Sequence, residues 1–229
     1  MASVGLVGGL GPESTIDYYR RILDEWQRLD PSTAPSIVID SLDVQRALRL
    51  VQHDRPGLTG YLLESIGRLA GAGADFAAIT ANTPHIVFDD LVAQAPLPLL
   101  SIVEVCAAEG QRRGLRRLAL LGTRFTMEAA FYPTVCERHG VAVVRPSDAE
   151  RTWLHERYIG ELLKGDFRDD TRQGVIALVR RLRDDDGADG VILGGTELPL
   201  LVTTATIADL PALDTTALHV AAIVAKLRA

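Results

Sequence analysis

Four short stretches of this 229-residue chain place glycines, hydroxyls or titratable groups directly after apolar runs. The first, Gly5 to Thr15, carries Gly8, Gly9 and Gly11 ahead of Pro12, Glu13, Ser14 and Thr15. Its glycines are out of register for a dinucleotide fingerprint, and there is no phosphate-loop lysine. Glycines let the backbone approach a small ligand, and the amides that open the following helix attract a carboxylate. Gly9, Gly11, Glu13, Ser14 and Thr15 are therefore candidate substrate contacts, with a plain strand-to-helix turn entered through Pro12 as the alternative. The second stretch is Thr80-Ala81-Asn82-Thr83-Pro84-His85. Asn82 and Thr83 can hydrogen-bond a carboxylate, and His85 can give or take a proton near neutral pH. The same residues also suit a helix cap with the histidine packed beneath it.

The third stretch, Gly194 to Pro199, holds Gly195, Thr196 and Glu197. Glu197 is either a carboxylate held by amides or the acidic residue that a helix start favours. The paired glycines predict open space where a side chain would otherwise stand. The fourth, Gly122 to Glu128, offers Thr123 and Thr126 as carboxylate or ammonium contacts. Arg46, Arg124 and Lys164 are possible counter-ions for an acidic substrate, each equally readable as a surface charge. Trp153 to Leu163, with His155, has the pattern of an amphipathic helix, and Asp214-Thr215-Thr216 before Leu218 and His219 reads as a helix cap.

The elements that must position these groups alternate between β and α. Strands are predicted at Ser3–Gly9, Ser36–Ser41, Asp75–Thr80, Leu99–Val103, Arg117–Gly122, Val141–Arg145, Gly190–Gly194 and Leu210–Asp214. Most are continuously apolar, as parallel strands covered on both faces are. Val175, Leu178, Val179 and Leu182 mark one of the intervening helices by their spacing. The expectation is an α/β fold with parallel sheets flanked by helices. Each half begins with a strand that enters a helix through glycine and hydroxyl residues, and later repeats the device. Two similar lobes are expected, 1–98 plus 208–229 and 99–207, whose strand ends would surround a cleft.

Composition narrows the class. With 24 Lys+Arg against 30 Asp+Glu the net charge is -6, which leaves nucleic acid no broad basic face. No apolar run is long enough for a membrane helix, and MASVGLVGGLGPE lacks the basic flank and cleavage site of a signal peptide, so a cytoplasmic enzyme is expected. The 2 cysteines are too few and too poorly spaced for a metal knuckle or a disulfide framework. Cys106 shares a helical face with Ile102 and Val105, and Cys136 falls in the helix Phe131 to His139, so buried structural roles are expected for both.

Taken together, GLVGGLGPESTIDYYRRI, ANTPH, LLGTRFTMEAAFY, ELLKGDF, GADGVILGGTELPLL and DTTALHVAAI resemble, in order, the aspartate/glutamate racemase family, the cofactor-independent amino-acid racemases. The resemblance covers nearly the whole chain. It implies two similar α/β lobes with the active site in the cleft between them, often a homodimer, a small carboxylate or amino-acid substrate, and no nicotinamide, pyridoxal phosphate or metal. It also implies two proton-carrying residues, usually cysteines, on opposite faces of the substrate's α-carbon. One precedes the Asn-Thr-x-His motif and the other precedes Thr-Glu.

In this sequence those positions are Ala81 and Gly195, which cannot carry a proton. Some family members have a threonine at the first position. Here Thr80 lies one residue early, so its side chain should point the other way. The hydroxyls of Thr83 and Thr196 are poor bases without an activating partner. His85 and Glu197 are the titratable residues nearest the two vacated positions. The small residues at 81 and 195 suggest an enlarged pocket and a substrate bulkier than aspartate. Three functions follow: isomerase-type proton chemistry at the α-carbon of a small amino acid or di-acid with a non-standard shuttle; a one-sided lyase or decarboxylase, resembling the arylmalonate decarboxylase and maleate isomerase branches; or a catalytically silent carboxylate-binding homologue.

Overall fold

The computed structural model describes residues 2–229, which divide into two compact units. One comprises the residues up to Ile102 together with His219–Ala229, and the other is Val103–Leu218.

The first unit is built on four parallel strands, β1 (Ser3–Gly8), β2 (Ser36–Ser41), β3 (Phe76–Ile79) and β4 (Leu99–Leu100), in the order β2-β1-β3-β4. Its helices are α1 (Pro12–Leu29), α2 (Val44–His53), α3 (Arg55–Gly71) and α4 (Phe88–Gln94), with a 3-10 turn at Thr83–Val87 before α4. Pro12 and Glu13 open α1, where a fixed φ and a negative charge both suit a helix start. Tyr18, Ile22 and Trp26 recur every fourth residue and form its buried stripe. That stripe packs on one face of the sheet, supplied by Val4 and Leu6 of β1 and Phe76 and Ala78 of β3, with Val220, Ile223, Val224 and Leu227 completing the cluster. His219 sits inside this core. Its Nε2–H donates to the Leu100 carbonyl (3.1 Å), and its Nδ1 accepts from the Tyr18 hydroxyl (2.9 Å).

In the second unit β5 (Arg117–Gly122), β6 (Ala142–Val144), β7 (Gly190–Gly194), β8 (Thr206–Ile207) and β9 (Leu210–Asp214) are ordered β6-β5-β7-β9-β8. All pairings are parallel except β8 with β9. The remaining helices are α5 (Ile102–Arg112), α6 (Arg124–Glu128), α7 (Phe131–Arg138), α8 (Asp148–Gly160), α9 (Asp169–Asp184), α10 (Leu198–Leu201) and α11 (Thr215–Arg228). The two divisions of the chain fall within α5 and α11. None of the described helices is long and apolar enough to cross a membrane.

Without its antiparallel edge β8, the second sheet repeats the winding of the first, which makes the α/β fold twofold in design. In each sheet the chain reverses its direction of travel between two neighbouring strands, β1 and β3 or β5 and β7. Ligands of open α/β sheets bind beyond the carboxyl ends of such a pair. Those ends are the Gly9 and Thr80–Asn82 segments in one unit and the Gly122–Thr123 and Gly194–Glu197 segments in the other.

Three details depart from expectation. The divisions fall at 102/103 and 218/219, not at 98/99 and 207/208, because β4 bonds β3 while β9 bonds β7, so each strand stays with its sheet. Leu99–Val103 yields only a two-residue strand, since α5 begins at Ile102 directly after Ser101, a residue suited to opening a helix. The short β8 was not anticipated. Ala208 and Asp209, both at positive φ (48 and 65), form the turn that joins it to β9.

Candidate active site

At the end of β1 the chain turns through Gly9, whose φ of 75 and surroundings exclude a side chain. A Cβ there would lie 2.5 Å from the Leu42 nitrogen and 2.7 Å from the Ser41 hydroxyl. Thr15 Oγ1 accepts the Gly9 N–H (2.9 Å), lies 3.2 Å from the Gly11 carbonyl to which it can donate, and pairs with the Thr80 hydroxyl at 3.3 Å. Thr80 donates to the Val7 carbonyl (3.2 Å), so its hydroxyl braces the adjacent strand ends. Of the residues expected to meet substrate here, Gly9, Gly11, Ser14 and Thr15 are buried at the turn and Glu13 is exposed.

The segment after β3 holds buried Ala81 and Asn82, half-buried Thr83, and His85 at 2% exposure. A carbonyl can only accept, so the 3.1 Å contact between His85 Nδ1 and the Ala81 oxygen fixes the Nδ1–H tautomer. His85 Nε2 is left with a bare lone pair, buried and without a hydrogen-bond partner among the described residues. The ring stacks on Phe88 at 4.8 Å. Burial pushes the imidazole down to about 4, against the pull of the Ala81 and Asn82 carbonyls. At neutral pH His85 is therefore an uncharged acceptor and not an acid.

In the second unit Thr123 caps α6 by accepting the Thr126 N–H (3.2 Å), and the two hydroxyls pair at 3.2 Å. Arg124 is held against α8, its guanidinium donating to the Thr152 hydroxyl (2.5 Å) and its backbone N–H to His155 Nδ1 (3.3 Å). Beyond β7 the open space predicted at Gly195 is absent. A Cβ on Gly195 would lie 2.5 Å from Cε2 and 2.7 Å from Cζ of Tyr158, and would also meet the phenol oxygen. Tyr158 reaches this place from α8. Its hydroxyl donates to Glu197 Oε2 through a short hydrogen bond and accepts the Glu197 N–H at 3.4 Å, while the Thr196 hydroxyl donates to the same carboxylate oxygen at 3.4 Å. Tyr158 and Glu197 are 3% and 2% exposed. Burial first, then the Glu197 charge and the hydrogen bond to it, push the phenol well above its usual value, so Tyr158 keeps its proton at neutral pH.

The structure thus gathers the glycine, hydroxyl and titratable candidates at two strand-pair ends, one per unit. It leaves Arg46 exposed on α2, its guanidinium 4.2 Å above the Tyr61 ring, and Lys164 exposed in the 3-10 turn Leu162–Lys164. Tyr158 was missed by sequence reasoning. Its only signal was the spacing Leu154, Tyr158, Leu162, which marks a buried helix face but not what that face meets. Among the described residues no group of His, Cys, Asp and Glu could hold a metal ion.

Cys106 and Cys136 lie in α5 and α7 and are both buried. Burial raises both thiols, Cys136 to about 12 and Cys106 well above its usual value. Since the thiolate is the reactive form, iodoacetamide at pH 7.5 is expected to label neither cysteine in the native protein and both once it is unfolded in urea. Mass spectrometry reads the outcome, and rapid native labelling would contradict the burial.

A twofold α/β protein whose switch-point turns are rich in glycine and hydroxyl residues is the class that fold and site define. The chain matches the Asp/Glu/hydantoin racemase family over residues 7–223 and belongs to that family. It is similar to a candidate Asp/Glu racemase of Yersinia pestis, with a TM-score of 0.88 and 34% identity over 100% of both chains. It is also similar to an aspartate racemase homologue of Pyrococcus horikoshii, with a TM-score of 0.82 and 32% identity over 100% of both. A broad-specificity amino-acid racemase of Bacillus subtilis is 27% identical over 146 residues, a match that spans 62% of this chain and 63% of that protein.

Proposed function

We propose that this protein exchanges the α-proton of a small amino acid or di-acid, as a racemase does, but without thiols or a cofactor. His85 and Glu197 are the groups that carry the proton. The Gly9–Thr15, Asn82–Thr83, Thr123–Thr126 and Thr196 segments provide donors for the substrate's carboxylate and ammonium groups. The observation that carries this reading is the pair of buried titratable groups just past the two switch points: an imidazole with an unpartnered Nε2 and a carboxylate that anchors a phenol. An imidazole near 4 is a weak base. Abstraction would therefore rely on turn amides that stabilise the carbanion's carboxylate.

The same weakness supports a second reading as a one-sided lyase. Loss of carbon dioxide creates the carbanion without a base, and a single proton donor then completes the reaction.

Incubation in D2O with a broad panel of amino acids, followed by proton NMR, is expected to show α-deuterium in at least one of them. His85→Ala is expected to slow that exchange by about 100-fold or more. Turnover of malonate-type di-acids with no α-exchange in any amino acid would shift the assignment to the lyase. Absence of both activities would leave carboxylate binding alone.

A further inference from the structure

We propose that Tyr158 delivers and removes a proton at the reacting carbon, with Glu197 behind it as the positioning residue that stores the proton. This rests on the proposed α-proton chemistry. It concerns which group touches the carbon.

The position before Thr196 has no side chain of its own, yet the space beside its α-carbon is filled. The phenol of Tyr158, arriving from α8, stands where a side chain at residue 195 would begin. Glu197 is less suited to direct contact. Its Oε2 already receives the Tyr158 and Thr196 hydroxyls. Simple filling of the gap would be served by phenylalanine. The hydroxyl instead donates to the carboxylate and accepts the Glu197 N–H, an arrangement that brings a charge into a buried place. Burying polar groups has a cost that packing alone does not require. A phenol hydrogen-bonded to a carboxylate can relay a proton that neither group would carry as well alone.

In the abstraction step the carbon–hydrogen bond breaks and its electron pair stays on carbon. The proton goes to Tyr158 Oη while the phenol's own proton passes to Glu197 Oε2. Negative charge thus moves from the carboxylate to the substrate, and the return step reverses each transfer.

The test uses the full chain and an amino acid that the wild-type protein exchanges, with each enantiomer followed separately by NMR in D2O alongside circular dichroism. Tyr158→Phe keeps the ring in the gap. It is expected to abolish inversion and to slow exchange of one enantiomer by about 100-fold, while the other still exchanges with retention. Glu197→Gln leaves the phenol in place and is expected to impair the same enantiomer; a folded Tyr158→Phe protein that still exchanges that enantiomer within about twofold of wild type, while Glu197→Gln does not, would put Glu197 itself on the carbon and overturn the assignment. If both variants exchange both enantiomers within about twofold of wild type, Tyr158 is packing only and the proposal is overturned. If the wild-type protein exchanges no amino acid, the α-proton reading fails, and this assignment with it.

Discussion

Gly195→Cys is expected to destabilise the protein by about 2–3 kcal/mol and to produce no thiol racemase. Tyr158 already occupies the space: the new Cβ would fall 2.5 Å and 2.7 Å from two of its ring carbons, before any sulfur is added. The ring cannot swing aside freely, because its hydroxyl is the close donor to a Glu197 carboxylate that is 2% exposed. Moving it would leave a buried charge short of a hydrogen bond, which costs as much as the overlap itself. Restoring cysteines at 81 and 195 is therefore not a symmetrical experiment, since Ala81 already has a Cβ and Gly195 has none. A double-mutant cycle makes the steric argument quantitative. Combining Gly195→Cys with Tyr158→Ala should recover most of the loss specific to the cysteine, whereas Tyr158→Phe should recover little, because the clashing ring carbons remain. Urea unfolding of the single and double variants reads these differences. A Gly195→Cys protein within about 0.5 kcal/mol of wild type would show that the phenol does not stand there.

The same residue shows where the sequence stops being informative. Strands such as Arg117–Gly122 and Gly190–Gly194 were legible because burial on both faces requires an unbroken apolar run, and the turns after them because glycine and hydroxyl residues have few other reasons to cluster there. Gly195 was misjudged for a physical reason. A missing side chain suggests a void only if nothing else fills it, and the filler comes from 37 residues away on a helix whose own pattern reports burial and nothing more. Thr123 and Thr126 were read as substrate contacts, and their shared hydrogen bonds at the start of α6 account for much of their placement without a ligand. β8 was hidden because two residues carry no periodicity. Thr80, read as pointing the other way from residue 81, donates to the Val7 carbonyl and pairs with the Thr15 hydroxyl at the turn after β1, so its hydroxyl is taken up between neighbouring strand ends.

Acidification from pH 7 to pH 4 is expected to remove about 3 kcal/mol of stability through His85 and about as much again through His219. Both rings are buried and neutral in the fold, His85 lowered to about 4 and His219 to about 3, chiefly by loss of hydration. In the unfolded chain each would titrate near 6.5. The native state thus resists protons that the unfolded state accepts. The stabilisation is complete above about 6.5 and is lost as pH falls through the window down to the folded values. His155, half-buried beside Arg124, contributes with the same sign. The strongly lowered carboxylate Glu109, held down to about 2 by Arg112 and Arg113, matters only below its unfolded value near 4.5, so the interval from pH 6 to pH 5 isolates the histidines. Two such groups together give a loss of about 2.4 kcal/mol over that pH unit, before His155 is added. His219→Gln can still accept from Tyr18 and donate to Leu100, and it is expected to reduce that loss by about half. The measurement is urea unfolding at closely spaced pH values. Equal stability at pH 7 and pH 5 would mean that the two imidazoles are not held neutral by the core. The loss is large against the 5–15 kcal/mol typical of a folded protein, so the core histidine that fixes Tyr18 and Leu100 also makes the first unit acid-labile.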